Sequence, residues 1–178
     1  ITQCFMDALC GNYLKEVSWE GKKISVVGDS ISTGSYPGLL GQMTGATIQN
    51  LAKSGARVAG ATSGANTLVS HVSGVAEDAD LVVVFGGTND HGHGDAPIGQ
   101  ATDRTPDTFI GACHSLYAAL KEKFSCPIVV LTPLHREVET REDGIELKDY
   151  VNLIKAIAPQ YSLPVLDLYE TSAICPET

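Results

Sequence analysis

Five short apolar runs punctuate the chain at residues 24–27, 47–51, 81–85, 128–131 and 165–168. Four are rich in β-branched residues, the pattern of strands buried in a sheet. The segments between them carry helical spacing. Residues 36–43 form a short, glycine-interrupted candidate, and 66–75 place Leu68, Val72 and Val75 on one face. In 108–124, Phe109, Ala112, Leu116, Ala119 and Leu120 recur at the helical period behind a Pro106-Asp107 start signal. Residues 145–161 do the same with Leu147, Val151, Ile154 and Ile157, after a turn at Asp143-Gly144. Such β–α alternation predicts an α/β fold, a parallel sheet with helices on both faces. Phe5, Leu9, Tyr13 and Val17 recur at near-helical spacing, so 1–20 is expected to be a leading helix or linker before one domain over 21–178.

Length and composition narrow this picture. The 178 residues are 43% apolar and 19% charged, which suits one globular domain with a sizeable core. A net charge of −9 with scattered basic residues excludes a nucleic-acid-binding face, because phosphate contacts need clustered Lys and Arg. Five widely spaced cysteines contain no Cys-x-x-Cys pair, so neither a zinc knuckle nor a thioredoxin-like site is indicated. Free thiols in a reduced compartment are expected, with a Cys4–Cys10 disulfide left open. No apolar run approaches the ~20 residues of a membrane helix, and no basic-then-apolar signal pattern opens the chain. Because the chain starts at Ile1 rather than Met, it is expected to be a fragment or processed form. Its localisation stays open between the cytoplasm and secretion from a bacterial-type source.

In a parallel sheet the loops after each strand share one rim, where open α/β folds bind ligands. The polar and glycine-rich segments all fall there: Gly28-Asp29-Ser30, then Leu51-Ala52-Lys53-Ser54-Gly55-Ala56, then Gly86-Gly87-Thr88-Asn89-Asp90, then Thr132-Pro133-Leu134-His135-Arg136. Taken alone, Gly28-Asp29-Ser30 is ordinary turn chemistry. An acyl-transfer nucleophile at Ser30 needs donors aimed at the oxyanion it creates. The Ser30 and Gly55 backbone N–H groups and the Asn89 carboxamide make such a set.

Gly28-Asp29-Ser30-Ile31-Ser32, Asn50-Leu51-Ala52-Lys53-Ser54-Gly55 and Gly87-Thr88-Asn89-Asp90, in this order and spacing, resemble the first three blocks of the SGNH (GDSL) hydrolase family. The resemblance runs from about Lys22 to the C-terminus. It implies a three-layer α/β/α, flavodoxin-like fold with five parallel strands in the order 2-1-3-4-5. It also implies Ser30 as nucleophile and Ser30, Gly55 and Asn89 as oxyanion hole. The implied activity is serine esterase chemistry, with no cofactor or metal, on a small-molecule or glycan ester such as an O-acetylated carbohydrate. The oligomeric state is left unknown.

The family's fourth element, an Asp-x-x-His after the last strand whose histidine is the general base, has no counterpart, since no histidine follows His135. The chain is therefore expected to be truncated by roughly 20–30 residues, about one loop and one helix, and inactive as it stands. The alternative is a catalytically incomplete domain that binds carbohydrate or serves assembly. Asp90-His91-Gly92-His93 has the Asp-x-x-His spacing at the wrong place. His93, with Asp29, His135 and Arg136, is expected to line the pocket, and Arg136 to meet an acidic substrate group. Asp90, His91, His93 and Asp95 have metal-ligand chemistry, but a glycine-rich loop offering no further ligand argues against a metal site. His71 and His114 are expected to serve local packing in helices.

Overall fold

A computed structural model describes residues 18–60 and 66–172. Five strands, β1 (Lys23–Gly28), β2 (Thr47–Asn50), β3 (Leu81–Phe85), β4 (Ile128–Leu131) and β5 (Val165–Leu166), form one sheet in the order β2-β1-β3-β4-β5. Every pairing is parallel. This is the order the family resemblance implied, and consecutive strands are joined by crossovers that place helices on the faces, the β2–β3 connection passing β1. β1 is held on both sides, with Val26 opposite Asn50 of β2 and Val83 of β3.

Side chains of a strand alternate between faces, and the strands sort their apolar residues accordingly. Val27, Val82, Val84, Ile128 and Val130 point into one core. It is closed by α2 (Leu68–His71), α4 (Phe109–Lys123) and α5 (Leu147–Ile157). Ile24, Val26, Leu81, Val83, Phe85, Val129 and Leu131 point into the other, under α1 (Tyr36–Thr44), Leu134 and Leu168. β1, β3 and β4 are buried on both faces, which is why they read as continuous apolar runs. The four-residue α2 continues as a 3₁₀ turn over Val72–Gly74, and α5 as another over Ala158–Tyr161.

Helix ends follow local chemistry. Thr108 caps α4, its hydroxyl accepting the Gly111 N–H at 3.2 Å. At α5 the Asp149 carboxylate accepts the Glu146 N–H at 2.9 Å, and Leu147, Tyr150, Val151, Ile154 and Ile157 form the buried stripe.

Three expectations change. The last apolar run stops being strand at Leu166, because Asp167 caps a short helix, α6 (Leu168–Thr171), by accepting the Glu170 N–H. The glycine-rich third block is not a loop throughout: after Gly87 it winds into α3 (Thr88–His93). Helix 66–75 shrinks to α2 and its 3₁₀ turn. The expected leading helix over 1–20 and the Cys4–Cys10 question fall, but for residues 18–20, outside the described residues. Within them Trp19 packs against the second core, and Cys113 and Cys126 are free thiols. No helix among the described residues is long and apolar enough to cross a membrane.

Leu120 on α4 is fully buried in the first core. Leu120→Ala should lower the unfolding free energy by about 2–5 kcal/mol through lost transfer energy and a residual cavity, measured by denaturant melts. The fold of the sheet edge should be unchanged by amide NMR.

Candidate active site

The three motif loops leave the C-terminal ends of β1, β2 and β3, which are adjacent in the sheet. After β1 the chain makes successive tight turns: Ser32 N–H donates to the Asp29 carbonyl at 3.1 Å, and Thr33 N–H to the Ser30 carbonyl at 3.2 Å. The Thr33 hydroxyl reinforces the second at 2.7 Å. α1 starts only at Tyr36, so Ser30 sits on turns rather than at a helix N-terminus. Gly28 is required here by close approach, because a Cβ would collide with the Ser32 side chain. Ser30 itself is exposed. Among the described residues, neither its hydroxyl nor its N–H has a hydrogen-bond partner.

The second loop is fastened to the first. Lys53 N–H donates to the Gly28 carbonyl at 3.0 Å, and the Asn50 carboxamide donates to the Ser32 carbonyl at 2.8 Å. The Asn50 side-chain oxygen also accepts the Ala52 N–H at 3.0 Å. Ala56 N–H closes a turn onto the Lys53 carbonyl at 3.1 Å. Gly55 lies inside that turn at φ +75°, a left-handed conformation that favours glycine. Its N–H is unengaged by any described residue.

The third loop grips the second. Asn89 donates through Nδ2 to the Ala56 carbonyl at 2.9 Å, which leaves the second hydrogen of that amide free. Asp90, beside it on α3, accepts the Ala59 N–H at 2.7 Å and the Val58 N–H at 2.9 Å. From sequence Asn50 is only the start of the second block, and Asp90 only a partner for His93 or a metal ligand; the structure instead uses both to fasten the loops. Their identity at a strand end and in the third block was the only signal, and their partners lie too far along the chain to be inferred.

Burial pushes the carboxyls of Asp29 and Asp90 up to about 6. Asp29 was expected to line the pocket but is wholly buried beneath the turn. One of its oxygens accepts the Ile31 N–H at 2.9 Å while the other has no partner, and the charge of Asp90 opposes its ionisation.

The structure does not bring a histidine to Ser30. All five histidines lie in the described residues, and none hydrogen-bonds it. His93 is exposed at the end of α3, and Asp90, committed to Val58 and Ala59, does not orient it. His91 is buried edge-on against Tyr150, rings 5.8 Å apart, with the Glu139 and Ile145 backbones beside its ring and Ser30 not among its contacts. Because the segment is helical rather than extended, His91 and His93 do not share a side. Among the described residues no group of three His, Cys, Asp or Glu side chains could hold a metal ion. His135 stacks on Tyr169 at 3.9 Å, and its Nδ1 meets Glu139 at 2.6 Å. The other Glu139 oxygen accepts the Tyr169 hydroxyl at 2.6 Å. Arg136 is half-buried against α3, donating to the Thr88 carbonyl at 3.3 Å.

The raised Asp29 pKa has a definite sign. The folded state prefers the neutral acid, so its contribution is full below pH ~4 and is lost as pH rises through about 6. By pH 7 the loss is on the order of 3 kcal/mol. Asp29→Asn should therefore gain stability relative to the parent as pH rises from 4 to 7, checked by urea melts at each pH. A pH-independent difference would count against ionisation as its source.

Residues 26–177 match the GDSL-like lipase/acylhydrolase family. Among solved structures, a protein from Lactobacillus plantarum is 26% identical, with a TM-score of 0.79 covering 88% of this chain and 81% of that one. A protein from Bacteroides uniformis described as GDSL-like lipase is 22% identical, with a TM-score of 0.64 and 84% of each chain covered. An acetylxylan esterase from Geobacillus stearothermophilus is 19% identical, with a TM-score of 0.54 covering 84% and 77%. No curated protein matches the chain. With the family match running from the middle of β1 to beyond α6, and its motif loops on three adjacent strand ends, the chain belongs to the GDSL-like lipase/acylhydrolase (SGNH hydrolase) family.

Proposed function

We propose that this chain carries the nucleophile and oxyanion hole of a serine esterase that removes a small acyl group, acetyl by preference, from a carbohydrate or similar alcohol. The observation that carries this reading is the linkage of Ser30, Gly55 and Asn89. An exposed serine with an unengaged hydroxyl and N–H shares one sheet edge with two further donors, and hydrogen bonds between their loops fix all three. Ser30 Oγ would attack the ester carbonyl, with the Ser30 and Gly55 N–H groups and Asn89 Nδ2 receiving the charge that develops on oxygen. The alkoxide then leaves with a proton, and water hydrolyses the acyl-enzyme. No step calls for a metal or cofactor.

The proton must be carried by a general base. Since none of the five histidines bonds Ser30, we assign that role to a family-type Asp-x-x-His that these histidines, as placed, do not provide. Acetyl as the acyl group is supported by family membership and by the acetylxylan esterase among the structures of the same fold. Arg136, half-buried beside the helix that carries Asn89, would meet an acidic group on the substrate.

A polypeptide of these 178 residues should hydrolyse p-nitrophenyl acetate only weakly, and one extended by a C-terminal Asp-x-x-His should turn it over. Comparable Ser30-dependent rates in both would remove the need for a distal base. Failure of every extended form, together with saturable glycan binding, would favour a non-catalytic binding domain. In the active form Ser30→Ala should abolish turnover, and unchanged rates would reject the nucleophile. Asn89→Ala should lower kcat about 10²–10³-fold through loss of one oxyanion donor, with KM nearly constant.

A further inference from the structure

The stretch 51–60 follows β2 at the rim of the sheet, and backbone and side-chain hydrogen bonds together set its course. One end is anchored to β1 by Lys53 N–H on the Gly28 carbonyl. The other end meets α3 through three hydrogen bonds. Asn89 donates a hydrogen bond to the Ala56 carbonyl, and Asp90 accepts one each from the Val58 and Ala59 N–H groups. Gly55 lies between these anchors. Asp90 is 3% exposed, and its two oxygens face two consecutive backbone N–H groups. An ionised carboxylate, which only accepts, satisfies both amides, whereas a carboxylic acid or a carboxamide would turn a donor toward one of them.

We propose that Asp90 is the positioning residue of the oxyanion hole. Its carboxylate holds the Ala56–Ala59 segment against α3, so that the Gly55 N–H and the Asn89 side chain take up their places as one unit. This deepens the esterase reading and rests on it. Asp90 touches no substrate and acts through the loop. The adjacency of Asn89 and Asp90 on one turn of α3 makes the device economical: one residue presents the donor while the next fixes the loop bearing the other donor. The groups whose charges act with or on Asp90 are Arg57, which favours the carboxylate, and Asp29, Cys113, Tyr117 and Tyr150, whose ionised forms it opposes. Burial brings Asp90 to about 6, so the clamp is complete above that pH and loosens below it as one acceptor becomes a donor.

Amide NMR of the 178-residue chain between pH 4.5 and 8 tests this directly. The Val58, Ala59 and Gly55 amides and the Asn89 carboxamide should titrate with one common midpoint near 6. Asp90→Asn should abolish that midpoint, while Asp29→Asn should leave a common midpoint in place. If Val58 and Ala59 titrate while Gly55 and Asn89 stay still, Asp90 is a local structural acceptor only and the proposal falls. The parent titration decides this even if Asp90→Asn fails to fold. In a form of the protein that turns over p-nitrophenyl acetate, Asp90→Asn should lower kcat about 10- to 100-fold, the scale of a displaced catalytic group, with KM within about twofold. An unchanged kcat per folded molecule, with only Tm reduced, would overturn it. Activity surviving Ser30→Ala would instead bring down the nucleophile reading, leaving the titration to judge the loop coupling on its own.

Discussion

β1 is hydrogen-bonded on both sides, to β2 along one edge and β3 along the other, with all three strands parallel. Parallel strands end on the same side, and neighbours lie about 4.8 Å apart. The loops that follow these three strands are therefore neighbours whatever their sequences. Val26 and Val27 of β1 are wholly buried, so this placement is secured from both faces of the sheet. Ser30, two residues beyond the strand, inherits a position from which it has little freedom to drift. The loops of β2 and β3 then need only a few polar contacts to bring their own groups to it.

Those contacts are costly as well as useful. Asp29 and Asp90 are both out of water, and both are held toward the neutral form by burial. Asp90 recovers part of that cost from two backbone amides, whereas Asp29 has one amide and a bare oxygen. Negative charge behind a site that would develop an oxyanion works against the chemistry, so the donors facing that oxygen must outweigh it. The arrangement fits the general expectation that functional sites sacrifice some stability to hold groups where reaction needs them.

The sheet was largely legible in the sequence because its three inner strands are buried on both faces, and unbroken apolar runs such as 81–85 and 128–131 have no other easy home. α4 and α5 were legible for the complementary reason: their apolar residues recur every three or four positions and they start at recognisable signals. α3 was hidden by its glycines. Gly86, Gly87, Gly92 and Gly94 read as loop, yet the segment between them is helical, with Asp90 pinned across 31 and 32 residues to Ala59 and Val58. No local rule anticipates a partner so far away. β5 ran short because Asp167, read as part of an apolar run, caps the helix that ends it. The motif blocks announced Ser30, Gly55 and Asn89, and the family comparison agrees with the resemblance they carry. Strand order came from that resemblance and not from periodicity. His135 illustrates a limit of residue type as evidence: it has an acidic partner and an aromatic neighbour, but they wire it to Tyr169 and not to the serine.

One consequence follows from where the three motif loops sit. All of them belong to the half of the sheet built by the first ninety or so residues, β2, β1 and β3. β4, β5 and the helices after them supply core but none of the three donors. The molecule is thus divided into a half that holds the proposed nucleophile and donors and a half that braces it and borders the same rim. Changes in the loop carrying His135 and Arg136 would alter what approaches Ser30, and through the Arg136 bond to the Thr88 carbonyl they would also reach the helix that bears Asn89.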